Sequence, residues 1–445
     1  MAITGDGRSN ICHQNSLHTA SQFVGDASKH FVTENVFEQF DTILTNPPFS
    51  TKTKIPAKEA ASFDLGYNWK QNKQLGTWIK GNKSGKRDPY VLFIERCLDM
   101  LKVGGTLCIV LPETVFHAPS KAYIRQYFLE GNNLIAVIDL PHNAFRPYCN
   151  AKTCLLVLKK GVPQQHHIIM ATPKEVGHDH NGKPLYRYGT KILWDDLAKV
   201  LEELDMPDNP QNKHVFSVHL SEFNPDILVP RYYRAVQNPP DMPMGRVPVS
   251  LKQLLEEKVI DAWNGHGSPP SHEKGMGDIP YIRVSDIVNW EMYRNPVTGI
   301  PENVYLEKLG KKRTPKEGDI IFVRRGSYRI GTVAMASPRD ERVLLTTELL
   351  TLRVINMANK YGLTPFYLLG LLSSQLVQDQ IDDYVFVDTT LPTIYERWKN
   401  LVLPVHTDPK EIAHVSKQVE QVIRHKWAAQ NQTDALRDQI GKIVT

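Results

Sequence analysis

The sequence lacks the cysteine and histidine patterns that are typical of metal sites and disulfide frameworks. Its five cysteines, in 445 residues, form no CxxC pair and no ligand spacing with histidine, so buried thiols are expected. No apolar run reaches the ~18 residues of a membrane-spanning helix, and residues 1–10 contain no stretch typical of a signal peptide. These absences predict a soluble, cytoplasmic protein without a metal site.

Glycine-rich cofactor loops are also missing. Gly-x-Gly occurs only at residues 5–7, 265–267 and 275–277, and none of these lies between a predicted strand and a predicted helix, where such a loop holds a nucleotide. Gly265 also runs closely into Pro269 and Pro270. A complete nucleotide-type cofactor site is therefore not expected from these residues alone.

The bulk composition indicates a multidomain globular protein. A chain of 445 residues suggests two or three domains, and an apolar fraction of 41% can build their cores. The net charge of +5 permits a nucleic-acid partner without requiring one.

An α/β pattern occupies residues 40–160. Residues 41–45, 106–111, 134–140 and 153–158 are strand-like, whereas residues 88–102 and 120–129 have helical periodicity, with Gly104 and Gly105 expected to end the first helix. The alternation predicts a mostly parallel sheet covered on both faces, in a domain of residues 1–165.

The remaining chain shows weaker or different patterns. Proline-rich residues 166–245 are interpreted as the tail of the first domain and a connector, and short β segments in residues 246–405 predict a compact β-rich module. Residues 364–380 look helical, and a heptad-like series predicts one long helix in residues 406–445. That helix either packs on its own domain or forms a coiled coil with a second copy or a partner.

The strand at residues 41–45 ends in the sequence Asn46, Pro47, Pro48 and Phe49. Two prolines stiffen the turn, an asparagine offers a carbonyl and an amide, and an aromatic ring follows. Ligands of open α/β sheets bind at the carboxyl ends of strands. Carbonyls of Asn46 and Pro47 could accept hydrogen bonds from an exocyclic amine while Phe49 stacks on a flipped base. The alternative is a stiff loop without chemistry.

Residues 5 to about 160 resemble the methylation subunit of type I restriction-modification systems. The matching segments are residues 5–11, 15–17, 40–49, 104–105, 109–112, 137–141, 144–148 and 152–153. The resemblance implies a Rossmann-like methyltransferase domain that transfers a methyl group from S-adenosylmethionine to the N6 amine of adenine in double-stranded DNA. It also implies that Phe145 forms the second wall of the base pocket, although a core position is the alternative.

The same family places a glycine-rich cofactor loop well upstream of its Asn-Pro-Pro-Phe motif, and only 45 residues precede Asn46 here. We therefore expect a partial catalytic domain whose partner polypeptide carries that loop. Asn15 stands where the family usually has an acidic residue that contacts the cofactor. The alternatives are a DNA-binding component of a defence complex without catalysis, or a fragment of a longer protein.

A basic, aromatic segment follows the motif. Residues 50–87 contain nine lysines or arginines against Glu59 and Asp64, with interleaved tyrosine and tryptophan. This composition suits phosphate contacts and support of an unstacked base, although a solvated loop is the alternative. The predicted DNA-binding residues here are Lys70, Lys73, Trp78, Lys86 and Arg87.

The β-rich module resembles a single target-recognition domain of a type I specificity subunit or of its type IIG relatives. The matching segments are residues 277–286, 318–327, 329–331 and 371–374 and the long helix. Arg324, Arg325, Ser327 and Arg329 are predicted to meet phosphate or a guanine edge. The alternative is that Arg324 pairs with Glu317 or Asp319.

Overall fold

A computed structural model of the chain describes residues 15–18, 38–49, 53–72, 74–326, 329–388 and 391–444. Lys73 and Ser327, both predicted to bind DNA, lie outside these residues. The chain divides into two compact units, residues 1–234 and 235–445. No helix in the described ranges is both long enough and apolar enough to cross a membrane.

The first unit is built on a six-stranded sheet with helices packed against it. Its helices are α1 Ala57–Ala60, α2 Pro89–Met100, α3 Thr114–His117, α4 Ala122–Leu129, α5 Leu197–Glu203 and α6 Pro230–Gln237, the last of which crosses the unit boundary. Its strands are β1 Phe40–Thr45, β2 Tyr67–Gln71, β3 Trp78–Ser84, β4 Leu101–Pro112, β5 Asn133–Asp139, β6 Thr153–Lys159, β7 His167–Ala171 and β8 Val215–His219.

The sheet has the order β1-β4-β6-β5-β7-β8, and β2 and β3 form a separate hairpin. β1 pairs parallel with β4, and β5 pairs parallel with β7. β6 lies antiparallel between β4 and β5, and β8 is antiparallel to β7. The predicted α/β class is confirmed, with β1, β4, β5 and β7 pointing the same way. The pairings are mixed, however, because the apolar pattern of residues 153–158 gives no strand direction.

The junction between α2 and β4 differs from the sequence prediction. Gly104 and Gly105 do not end the helix, because α2 stops at Met100 and β4 begins at Leu101. Gly104 instead adopts a φ of +81° inside β4, where the pairing with β1 shifts register. A glycine in this left-handed conformation is typical of a β-bulge.

The middle and the edge of this sheet differ in burial. Leu107, Ile109 and Leu111 of β4 are fully buried. β1 is mostly exposed, and Leu44 remains 75% exposed. The core of the unit is therefore centred on β4, β6 and β5, and β1 lies at its margin.

The tail of the first domain is longer than the sequence pattern indicated. β7 and β8 belong to the same sheet, and the first compact unit extends to Arg234. The two strands are separated by a proline-containing loop region with one short helix, so neither strand stood out from the sequence. The connector is correspondingly shorter.

The second unit contains the β-rich module and the long helix. Its helices are α7 Leu251–Glu256, α8 Glu302–Leu309, α9 Pro365–Leu372, α10 Gln375–Tyr384 and α11 Pro409–Val444. Its strands are β9 Arg246–Ser250, β10 Ile260–Asn264, β11 Tyr281–Ile282, β12 Ile287–Val288, β13 Glu291–Met292, β14 Ile320–Val323, β15 Val333–Met335, β16 Leu344–Leu345, β17 Leu349–Val354, β18 Phe386–Asp388, β19 Leu391–Thr393 and β20 Val402–His406.

An antiparallel sheet of order β10-β17-β14-β15 forms the centre of this unit. The helix predicted for residues 364–380 is two helices, separated at Ser373 and Ser374. Along α11, Val419 and Ile423 are buried, whereas Leu436 and Ile440 are more than half exposed. The first part of the long helix therefore packs on its own unit, and the later part presents apolar side chains to solvent.

Candidate functional site

Three strand ends of the first unit meet at one edge of the sheet. β1, β4 and β5 point in the same direction, so their carboxyl ends lie at the same edge. Asn46 directly follows β1, Glu113 directly follows β4, and a loop of residues 140–152 follows β5. This edge is where ligands of open α/β sheets bind.

The Asn-Pro-Pro-Phe turn brings its aromatic ring to this loop. Pro47 is buried, Phe49 is half-buried, and Asn46 and Pro48 are exposed. The ring of Phe49 lies 6.0 Å from the ring of Phe145 at an interplanar angle of 82°. The two aromatic residues that the sequence placed in a base pocket are therefore neighbours, edge to face, beside an exposed asparagine.

The loop that carries Phe145 is anchored by a buried group of two acids and two bases, which we call the ion quartet: Glu113, Asp139, Lys152 and Arg231. The Lys152 ammonium lies 2.6 Å from Asp139 and donates to the carbonyl of Leu140. Arg231 of α6 binds Asp139 at 2.5 Å and also pairs with Glu113. The two ends of the loop are thus joined to each other and to α6.

The ion quartet is buried, and its charges balance. The side chain of Glu113 is fully buried, and that of Asp139 is 5% exposed. Burial alone would raise the pKa of Asp139, but the charges of Arg231 and Lys152 outweigh it and hold that pKa below its ordinary value. Asp139 is therefore ionised near neutral pH, and each charge has an opposite neighbour.

The chain that leaves the Asn-Pro-Pro-Phe turn is fixed by a buried carboxyl. Both carboxyl oxygens of Glu95, on α2, accept backbone N–H groups, one from Asp64 and one from Leu65, each at 2.7 Å. Burial raises the pKa of Glu95 to about 7. Ile55 and Arg87 exchange two main-chain hydrogen bonds, which close the segment between them.

The predicted DNA-binding residues of this segment have different surroundings. Lys70 and Lys86 are exposed. The indole of Trp78 packs 6.1 Å from the ring of Tyr123 on α4. The Arg87 guanidinium donates to the carbonyls of Leu65 and Lys86, each at 3.0 Å, and to the carbonyl of Tyr67. Trp78 and Arg87 therefore hold the β2–β3 hairpin in place. A sequence pattern cannot distinguish this structural role from contact with nucleic acid.

The predicted arginines of the second unit are half-buried and contact main-chain groups. Arg324 donates to the carbonyl of Thr347 at 3.0 and 3.2 Å, and burial lowers its pKa. Arg329 donates to the carbonyl of Ile287 at 3.0 Å, and Arg325 forms a β-bridge with Thr393. Asp319, considered above as a partner of Arg324, instead binds Arg353 at 2.6 Å.

The sequence features that we considered for cofactor binding have other contacts in the described residues. The Asn15 side-chain oxygen accepts the N–H of Leu17 at 3.1 Å, so it is engaged in a local turn. Gly265 packs against the carbonyl of Thr346 in the second unit, which excludes it from a cofactor loop in the first. Within the described ranges, no group of three His, Cys, Asp or Glu side chains could hold a metal ion.

Comparison with known proteins identifies the class to which the first unit is related. Residues 6–145 match the family model of the Eco57I restriction-modification methylase. Residues 6–145 are therefore similar to a methylase of restriction-modification systems.

Two relatives are methylase subunits of type I restriction enzymes. The chain is 25% identical over 214 residues to the type I restriction enzyme EcoEI methylase subunit of Escherichia coli, covering 46% of this chain and 39% of that relative. It is 30% identical over 133 residues to the MpnII methylase subunit of Mycoplasma pneumoniae, covering 30% of this chain and 22% of that relative. The chain thus spans less than half the length of these relatives.

A similar solved structure is that of the type IIG restriction endonuclease BpuSI. It aligns with 87% of this chain and 50% of its own, at 14% identity and a TM-score of 0.39.

The ion quartet is the part of the site that the sequence did not reveal. Arg231 lies 92 residues from Asp139 and 118 residues from Glu113, in a proline-rich region without clear periodicity. Asp139 and Lys152 lie within the segments that resemble type I methylation subunits, but spacing alone does not indicate that they pair.

Proposed function

We propose that this chain carries the adenine-binding and DNA-recognition part of a site-specific N6-adenine DNA methyltransferase in a restriction-modification or phage-defence system. The observation that carries the proposal is the pairing of Phe49 with Phe145, 6.0 Å apart, at the carboxyl edge of the sheet beside Asn46. The family match over residues 6–145 supports it.

In this proposal the chain acts on the base rather than on the methyl donor. The exocyclic amine of adenine is a poor nucleophile because its lone pair is delocalised into the ring. The two N–H groups of the amine donate hydrogen bonds to the side-chain carbonyl of Asn46 and the main-chain carbonyl of Pro47. These hydrogen bonds favour a tetrahedral nitrogen. Phe49 and Phe145 contact the flipped base. S-adenosylmethionine, when bound, supplies the methyl group.

The exposed edge of the sheet supports a second contribution to the site. Among the described residues, β1 pairs only with β4, and Leu44 is 75% exposed. An unpaired edge with exposed apolar side chains is a surface on which further strands add. In our proposal a segment with the glycine-rich cofactor loop, carried by a partner polypeptide, completes the sheet beside β1.

The second unit has the proposed role of target recognition. Its compact antiparallel sheet and long helix agree with that role, and the exposed Leu436 and Ile440 on α11 offer a surface for self-association or for a partner helix. Arg324, Arg325 and Arg329 remain proposed DNA-contact residues. The hydrogen bonds of Arg324 and Arg329 to main-chain carbonyls would fix the orientation of these two guanidinium groups.

Two measurements test the proposal. By calorimetry, the purified chain should show no measurable binding of S-adenosylmethionine, and micromolar binding would contradict the divided site. When a partner supplies the cofactor loop, for which the adjacent upstream reading frame is the first candidate, methylation should appear.

Asn46→Ala should then lower methylation at least ~100-fold, as does loss of one group that stabilises a transition state. DNA affinity should be nearly unchanged. Asn150→Ala, at an exposed asparagine of the neighbouring loop, is the matched control and should keep full activity. Retained methylation in Asn46→Ala would remove this residue from the catalytic role.

A further inference from the structure

The β2–β3 hairpin has two unlike faces. Trp69 stacks on Tyr123 of α4 at 6.0 Å and 24°, and Trp78 packs on the same ring. Since side chains alternate across a strand, Lys70 and Ile79, which pair across the hairpin, lie on the opposite face. Lys70 is exposed, and Ile79 is 51% exposed. One face is thus fixed to the unit, and the other is open.

The tip of the hairpin holds a leucine in solvent. The turn is closed by two main-chain hydrogen bonds of 2.8 Å, from Asn72 to Thr77 and from Gly76 to Asn72. The Asn72 side-chain oxygen also accepts the N–H groups of Gln74 and Leu75, and Gly76 adopts a φ of +69°. Leu75 is 71% exposed at this turn. The turn therefore presents an apolar side chain that packs little against its own protein.

The charge of the hairpin is of one sign. No aspartate or glutamate occurs in residues 65–87, which contain six lysines or arginines. Lys80 is paired with Asp64 at 2.7 Å, and Arg87 is bound to main-chain carbonyls. Lys70, Lys83 and Lys86 are exposed. Duplex DNA offers a partner for both features of the hairpin. Its phosphates attract the lysines, and its stacked bases can receive an apolar side chain.

The base of the hairpin is fixed to the segment that leaves the candidate base pocket. Glu95 holds residues 64 and 65, and Gly85 donates to the carbonyl of Gly66 at 3.0 Å. From this base a five-residue strand reaches roughly 16 Å. These hydrogen bonds therefore fix the point at which the hairpin leaves the unit.

We propose that the hairpin enters duplex DNA, with Leu75 inserting between stacked bases near the flipped adenine while Lys70, Lys83 and Lys86 bind the flanking phosphates. The inference rests on the proposed function for its substrate. Insertion of an apolar side chain would offset part of the cost of unstacking the target base.

The test compares the full chain and its variants on two fluorescently labelled duplexes of equal length, one intact and one with a central abasic site. Leu75→Ala should weaken binding to the intact duplex about tenfold and binding to the abasic duplex little, because unstacking is already complete there. Leu201→Ala is the matched control, since Leu201 is 70% exposed in the same unit. Lys70→Ala and Lys83→Ala should weaken binding to both duplexes alike. Each should also reduce the slope of log affinity against log salt concentration by about one.

Equal loss on both duplexes, or no loss on either, would overturn insertion by Leu75. Binding to anionic phospholipid vesicles that depends on Leu75, without such dependence on DNA, would overturn DNA as the occupant. Asn46→Ala serves as the separate test of chemistry: if it still methylates but Leu75→Ala shows the predicted selectivity, the hairpin proposal stands and the assignment of Asn46 fails.

Discussion

The two walls of the candidate site are built in different ways. The Phe145 wall is a loop whose ends are tied by the ion quartet, with Asp139 and Glu113 almost completely buried. The Asn46 wall follows β1, a strand whose residues are mostly exposed and which pairs on one side only among the described residues. Buried ion pairs stabilise the first wall, whereas the strand that leads to the second wall is held by its pairing with β4.

The difference indicates where each wall gets its rigidity. A base pocket needs both rings fixed, because a displacement of ~1 Å can cost much of a site's activity. The Phe145 wall has that rigidity in the chain itself. The Asn46 wall would gain it when the free edge of β1 is covered, which agrees with a site completed by a second segment.

Removal of the quartet's arginine should have the largest effect. Arg231→Met leaves Asp139 and Glu113 buried with only Lys152 as a counter-charge, and breaking a buried ion pair in this way costs about 3–5 kcal/mol. Urea denaturation of the full chain should show this loss in the transition of the first unit. Lys199→Met, which breaks the exposed pair with Glu202, is the control and should change stability by less than about 1 kcal/mol. A loss below 1 kcal/mol in Arg231→Met would contradict the role of the quartet.

Two buried carboxyls of the first unit, Glu95 and Asp139, should make contributions to stability that depend on pH in opposite directions. The pKa of Glu95 is raised to about 7 from 4.5, so the folded state favours its protonated form. This group's contribution is greatest below pH 4.5 and declines as pH rises to about 7, by about 3 kcal/mol in total. The pKa of Asp139 is lowered from 3.8, so its contribution is present above that pH and is lost as pH falls below it.

Glu95→Gln isolates the first of these effects. The variant cannot ionise at this position, so its free energy of unfolding should lack the part of the decline between pH 4.5 and 7 that we expect from Glu95. Urea titrations across this range measure the difference in slope. Identical slopes would mean that Glu95 is ionised in the folded protein throughout.

The sequence predicts the features that depend on neighbouring residues, and it misses the features that depend on residues far along the chain. The strand before Asn46, the helix of residues 89–100 and the class of fold were predictable, because periodicity and turn residues are local signals. The direction of β6, the joining of β7 and β8 to the sheet, and the Arg231 contacts were not, because they depend on partners far along the chain. Trp78 shows the same limit, since its packing against Tyr123 leaves no local signature in the sequence.

The contact between the rings of Phe49 and Phe145 should contribute a smaller free energy. An edge-to-face pair of aromatic rings contributes about 0.5–1.5 kcal/mol beyond the area it buries. A double-mutant cycle of Phe49→Leu and Phe145→Leu should therefore give a coupling energy in this range in the free chain. Phe49→Leu paired with Phe128→Leu, a buried ring on α4, is the control and should be additive. Additivity in the Phe49 and Phe145 cycle would show that the rings do not share a pocket before DNA binds.

The smallest loss of stability is expected at Leu44 on β1, the strand that leads to the Asn46 wall. Leu44→Ala on β1 should change the stability of the chain by less than about 0.5 kcal/mol because Leu44 is 75% exposed. Leu107→Ala on the neighbouring β4, a fully buried position, should cost about 2–5 kcal/mol. If a second segment covers β1, Leu44→Ala should weaken its binding although it leaves the free chain intact. A loss at Leu44 as large as that at Leu107 in the chain alone would mean that the edge is already covered.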